Sequence, residues 1–186
     1  MDQDLVVRAQ QGDRRAFDSL TVTDYPRLFR VAHSILRDRS QAEDATQQAY
    51  FDIWRNIRRL RSPAAFEGWS YRILVHACYA EARRTPRWVP DSEALALREP
   101  TAAADFAAVL DRDELERVFA RLSIDQRVVV VLHFHLDMTL EQVAKTLGIP
   151  KGTVDSRLSR AMRVMRMALR ADTRPAISPV RQEAMR

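Results

Sequence analysis

Within residues 151–160, Lys151, Thr153, Ser156, Arg157 and Arg160 supply an ammonium, two hydroxyls and two guanidinium groups. At 100° per residue, Thr153, Ser156, Arg157 and Arg160 share one flank of a helix. Such groups donate hydrogen bonds to base edges and phosphate oxygens, and in a major groove they can read sequence. Charged flanks are usually just solvated, so the segment in front decides. Leu140, Val143, Ala144 and Leu147 repeat with helical spacing and stop at Gly148, and Ile149–Pro150 forms a short turn. Val154, Leu158, Ala161 and Met165 then line the buried side of the second helix. Residues 139–163 therefore read as a DNA-binding helix-turn-helix.

Two further constellations lie upstream. Asp44, Gln47, Gln48, Phe51 and Arg55 fall on one helix face, opposite Ala42, Ala45, Ala49 and Ile53. Water would account for the carboxylate and amides but not for Phe51, and an aromatic ringed by polar groups suits docking to another protein. Next, Arg55, Arg58, Arg59 and Arg61 crowd a loop closed by Pro63, followed by a helix whose outer side carries Trp69, Arg72, Ile73, His76, Ala80 and Arg83. Arginines interleaved with aromatics (Phe66, Trp69, Tyr71) suit single-stranded DNA, with phosphates meeting cations and unstacked bases meeting rings. The opposing reading is that the rings are core and the arginines merely solubilise.

These groups need helices to position them. Only four glycines in 186 residues, with heavy Ala, Leu and Arg usage, predict an all-α protein. Periodicity predicts helices over Gln3–Gln11, Arg14–Leu36, Gln41–Ile57 and Ala65–Arg84, the third opened by a Ser40/Glu43 capping box. Tyr71, Leu74, Val75, Cys78 and Ala82 make the buried stripe of the fourth. Residues 85–110 hold three prolines and an Ala-rich, weakly patterned stretch, which reads as a linker. Helical periodicity resumes with Leu115, Val118, Phe119 and Leu122, and Ser123 caps the next helix. The run Val128–Leu132 could be a strand by itself, but its polar flanks and helical neighbours favour a buried helix. The expected organisation is a helical domain at 1–88, a linker at 89–110, a helix-turn-helix domain at 111–171 and a disordered tail at 172–186.

A net charge of +5 favours a polyanionic partner. The charge is uneven: residues 148–171 carry net +5 and residues 85–116 net −5. One cysteine excludes a disulfide framework, and no Cys/His cluster has zinc spacing. No metal or cofactor is expected, and no catalytic residue: there is no phosphate loop or nucleophile motif, and the four histidines have no partners in the sequence. With no signal peptide and no apolar run long enough for a bilayer, a cytoplasmic protein without membrane insertion is expected.

Four segments together, GDRRAFDSL at 12–20, SQAEDATQQAYFDIW at 40–54, FEGWSYRI at 66–73 and the stretch from Leu122 to Arg163, resemble the extracytoplasmic-function (ECF) group of bacterial sigma factors. The resemblance covers about residues 8–170. It implies that Asp44, Gln47, Gln48, Phe51 and Arg55 dock on RNA polymerase core enzyme. It assigns −10 strand capture to Arg58, Arg59, Arg61, Trp69, Arg72, His76 and Arg83, and −35 duplex readout to Lys151, Thr153, Ser156, Arg157 and Arg160. Promoter DNA and an anti-sigma factor are the other implied partners. Asp155 departs from the pattern, standing where the family usually carries a basic residue, as do His76 (usually Asn), Glu81 (often Asp) and Ser70 (commonly Leu). The alternative is a stand-alone helix-turn-helix regulator with an N-terminal sensor or dimerisation domain, which would bind duplex promoter DNA without polymerase.

Overall fold

The computed structural model describes residues 2–84 and 112–172, all-helical apart from turns. The expected linker at 89–110, and the tail beyond Asp172, lie outside the described residues. In the first unit, α1 (Gln3–Gln10) begins at Asp2, whose carboxylate accepts from the Asp4 amide at 3.0 Å. Asp13 caps α2 (Arg14–Leu36) the same way, accepting from the Ala16 amide at 3.1 Å. Arg37 closes α2 in the left-handed conformation (φ 59°), leaving no spare residue before α3 (Arg39–Asn56). Asp38 is therefore the N-cap of α3, accepting from the Gln41 amide at 2.9 Å. The expected Ser40/Glu43 box does not form: Ser40 is inside the helix, and Glu43 pairs with Arg39 at 3.0 Å. Two 3-10 turns, Ile57–Arg59 and Pro63–Ala65, lead into α4 (Phe66–Arg84).

Ala42, Ala45, Ala49 and Ile53 are fully buried, and the small alanines let α3 lie close to both α2 and α4. Leu20, Leu28, Val31, Ile35, Phe66 and Leu74 fill the rest of this core. A polar clasp crosses it. Arg27 grips Asp24 with two nitrogens at 2.8 and 2.9 Å, donates to the Tyr71 hydroxyl at 2.8 Å and pairs with Glu67. Asp24 is 4% exposed, so this fork supplies the compensation a buried carboxylate requires. The clasp fixes α4 against α2.

The second unit contains α5 (Arg112–Ala120), α6 (Ile124–Val130), α7 (Leu140–Leu147) and α8 (Lys151–Asp172). Ser123 and Gln126 form a capping box at α6, and Thr139 and Gln142 form one at α7. Gly148, at φ 67°, ends α7 in a conformation that disfavours any residue with a Cβ. Val128–Leu132 is helical, running through α6 into a single π turn at Val131–His135. All five aliphatics are buried because α6 packs on α8 within its unit and on α2 and α4 across the seam. An aliphatic run without a polar face is what a helix enclosed on both sides requires.

Candidate nucleic-acid and protein interfaces

The face predicted for protein docking is open. Asp44, Gln47, Gln48, Phe51 and Arg55 are all exposed, and Phe51, at 54%, is one of few large apolar side chains in water. The Arg55 guanidinium sits over its ring, 5.4 Å from the centroid. Asp44, Gln47, Gln48 and Phe51 line a broad groove of about 640 Å³ between α3 and α4, whose other wall is Ala77, Ala80, Glu81 and Arg84. Sequence reading missed that wall and set Ala80 on the DNA side. The α3–α4 packing turns it toward the groove instead.

The predicted single-strand face divides. Arg58, Arg59 and Arg61 are exposed around the first 3-10 turn, and Arg83 is exposed near the end of α4. Phe66 and Tyr71 are 0% and 2% exposed, so they are core and cannot stack on bases. Trp69 is half-buried, tilted on Phe66 with ring centroids 6.0 Å apart; it is the one aromatic of the three with surface left. Cys78 is buried, its thiol pushed up to about 12 by loss of solvation, which makes it an inert packing residue.

Arg72 and His76 take an unexpected position. They line a cleft of about 170 Å³ whose opposite wall belongs to the second unit, including Asp125, Leu147, Ile149 and Arg157. The Arg72 guanidinium lies against the helix-turn-helix turn, 3.2 Å from where a Cβ on Gly148 would be. In the same seam the Tyr79 hydroxyl donates to Asp125 Oδ1 at 2.7 Å, and Arg157 Nη2 pairs with Asp125 Oδ2 at 3.0 Å. Arg127 donates to the Leu36 carbonyl at 3.4 Å, and Arg37 faces Glu116 at 3.6 Å. Burial, with the Asp125 hydrogen bond and charge adding to it, raises the Tyr79 pKa above its ordinary value.

The helix-turn-helix is built as expected, yet its polar residues are not equally available. Ser156 and Arg160 are exposed and Thr153 is half-buried. Lys151 pairs with Glu141 at 2.5 Å. That hydrogen bond raises the lysine pKa and lowers the glutamate's. The Arg157 side chain keeps only 25% of its exposure. Asp155 is half-buried one turn after Lys151. His133, read as partnerless, has its Nδ1 2.7 Å from the Met138 carbonyl.

Residues 21–87 match the family described as Sigma-70 region 2, and residues 112–165 match Sigma-70, region 4. The ECF RNA polymerase sigma factor SigM of Mycobacterium tuberculosis is 32% identical, over 86% of this chain and 80% of the relative. The chain belongs to the ECF family of RNA polymerase sigma factors. It directs RNA polymerase to promoters, and its family is one of transcription initiation factors. The ECF RNA polymerase sigma-E factor of Haemophilus influenzae is also 32% identical, over 86% of this sigma factor and 90% of the relative. The RNA polymerase sigma-H factor of Pseudomonas aeruginosa is 29% identical, over 94% and 97%.

Solved structures agree in fold. The sigma factor RpoE, in complex with the anti-sigma factor NepR from Bartonella quintana, superposes with a TM-score of 0.62 at 25% identity, covering 84% of this chain and 98% of that one. CnrH, in complex with the cytosolic domain of CnrY, gives a TM-score of 0.65 at 21% identity, covering 92% and 99%. Among the described residues no helix is long and apolar enough to cross a membrane, and no three His, Cys, Asp or Glu side chains form a metal-sized group.

In the seam, the residues that sequence reading missed are Tyr79 and Asp125. Each is unremarkable on its own helix; their chemistry exists only where the two units meet.

Proposed function

We propose that this sigma factor grips promoters at two points and that the described arrangement is its closed form. Residues 1–88 are the docking and −10 domain, 89–110 the linker and 111–171 the −35 domain. The groove between α3 and α4 receives the polymerase, with Phe51 as apolar anchor and Asp44, Gln47, Gln48 and Arg55 as its polar rim. Arg58, Arg59 and Arg61 hold phosphates of the displaced −10 strand, Trp69 offers a face to a base, and Arg72, His76 and Arg83 continue the basic track along α4. Lys151, Thr153, Ser156, Arg157 and Arg160 enter the −35 major groove. The protein acts by binding, without catalysis of its own, in the cytoplasm.

The observation that carries this reading is the cleft shared by Arg72, His76 and Arg157. Residues assigned to two separate promoter elements face one another, and Asp125 occupies Arg157 as a DNA acceptor would. Arg72 and His76 keep exposed surface, but Arg157 cannot engage DNA fully until the seam parts. Core polymerase, by holding the α3–α4 groove, would keep the units apart. An anti-sigma factor, the kind of partner in the RpoE complex, would act in the opposite direction.

The test is promoter binding with and without core enzyme, at a promoter mapped by sequencing transcript starts. Binding and strand opening should need core polymerase. Tight duplex binding by the free protein would favour a stand-alone regulator instead.

A further inference from the structure

The helix α1 precedes the segment matching Sigma-70 region 2, which begins at residue 21. Its last residue nevertheless reaches the basic loop. Gln10 Nε2 donates to the Leu60 carbonyl at 2.6 Å and to the Ile57 carbonyl at 3.2 Å. Both hydrogens of one amide are thus used on two carbonyls bracketing Arg58 and Arg59. These oxygens lie at the two ends of the 3-10 turn that follows α3, where the regular α-helical ladder no longer runs. Only the Leu60 amide, bonding back to the Ile57 carbonyl at 3.1 Å, helps close the turn.

A second contact follows two residues on. Gly12 sits at φ +94°, and a Cβ there would lie 2.8 Å from Arg58 Nη2. The bare backbone at Gly12 is a seat for the Arg58 guanidinium. The seat is itself tied to its neighbours: Arg8 holds Asp13 through two nitrogens at 3.1 and 2.7 Å, and Asp13 caps α2. Val6 and Ala9, buried at 0% and 1%, anchor α1 to the core. The α1 bracket therefore grips the loop at two carbonyls and one side chain.

We propose that Gln10 is a positioning residue for promoter opening: with the Gly12 seat, it sets the hook at 57–61 so that its arginines meet the −10 strand. It touches no DNA and acts through the loop. The proposal rests on the hook being the strand-capturing element, and the controls separate the two ideas.

The experiment uses the full chain with core polymerase on a mapped promoter carrying 2-aminopurine in the −10 non-template strand, whose fluorescence reports unstacking. Gln10→Met keeps the volume and removes both donors; Gln10→Glu keeps size and polarity and also offers the carbonyls no donor. Both should slow strand opening at least five-fold, while core-enzyme affinity and binding to a −35 duplex fragment stay within two-fold of wild type. Wild-type opening in both variants overturns the proposal. So does a fall in core affinity that matches the fall in opening, because the role would then be merely structural. A variant with Arg58, Arg59 and Arg61 all changed to Ala tests the underlying reading. If that variant opens the promoter normally, the hook does not capture the strand and both ideas fall. If it is impaired while the Gln10 variants are not, only the positioning role falls.

Discussion

Tyr79 and Asp125 lie 46 positions apart in sequence, on α4 and α6, and their 2.7 Å hydrogen bond joins the two units of the molecule. The carboxylate that accepts from Tyr79 also pairs with Arg157, so one side chain ties the α4 surface to the recognition helix. Removing the phenol leaves the Asp125–Arg157 pair intact and isolates the inter-unit part. Tyr79→Phe should weaken the closed form by about 1 kcal/mol, the usual net contribution of one such bond. Small-angle scattering or a fluorophore pair on the two units should report a larger open fraction. An unchanged distance distribution would remove Tyr79 as a tie.

The α3–α4 groove, proposed as the docking site, makes a separate prediction. Asp44→Arg combined with Gln48→Arg changes exposed side chains only, so thermal stability should hold while core-polymerase affinity drops. Phe51→Ala should cost about 2 kcal/mol or more of that affinity if the ring fills a pocket on the partner. Undiminished pull-down of core enzyme by these variants would argue that the groove faces something else.

Arg157 pairs with Asp125 in the structure, and on the proposed reading it would exchange that acceptor for DNA when the seam opens. Arg157→Ala should cost roughly 1–3 kcal/mol of promoter discrimination if the guanidinium reads a base, and weaken all sequences alike if it holds a phosphate. Competitive binding of holoenzyme to promoter variants distinguishes these. Normal affinity for every sequence would exclude Arg157 from the reader.

Alkali should loosen the molecule in a defined window. Burial, reinforced by nearby carboxylates, raises the pKa of Tyr50, Tyr71 and Tyr79 above the ordinary 10.0. A raised folded-state pKa means the unfolded chain releases its protons first. The stability tied to these phenols is therefore complete below about pH 10 and is lost as pH rises above it. Melting curves from pH 8 to 11, read beside tyrosinate absorbance, should show stability falling above about pH 10 before the phenols of the folded protein ionise. Tyr79→Phe should flatten the part of the loss that reports seam opening.

The start of α3 offers a test of local structure. Asp38→Ala should destabilise the protein by about 1 kcal/mol through loss of the cap, and Ser40→Ala by much less. Equal costs would mean that Ser40 does cap the helix. The spacing pointed to Ser40, and the deciding fact was how soon α2 ends. Arg37 turns left-handed immediately before Asp38, which placed the first free cap two residues ahead of the one expected.

Much of the molecule was legible from spacing alone, because helical periodicity and turn chemistry are local. The alanine stripe of α3, the Gly148 stop, the Ser123 cap and the inert Cys78 all follow from residues within a turn or two of each other. The family resemblance was legible for a related reason: four short motifs in order are a one-dimensional signal. Sequence also showed that Val128–Leu132 must be buried, but not what would bury it.

Only tertiary structure decided what the outer faces meet. It packed Phe66 inside, decided between the two sequence readings of Tyr71 in favour of the core, and moved Ala80 to the α3–α4 groove. It also set Arg72, His76 and Arg157 against one cleft. Hydrogen bonds such as Tyr79–Asp125 and Gln10–Leu60 join positions about 50 residues apart or nearly so. No periodicity in either helix encodes such a partner, because the pairing depends on how whole helices dock. The chemistry of each group was written in the sequence. Whether it lies in the core, on the α3–α4 groove or against its own neighbouring unit was decided by packing.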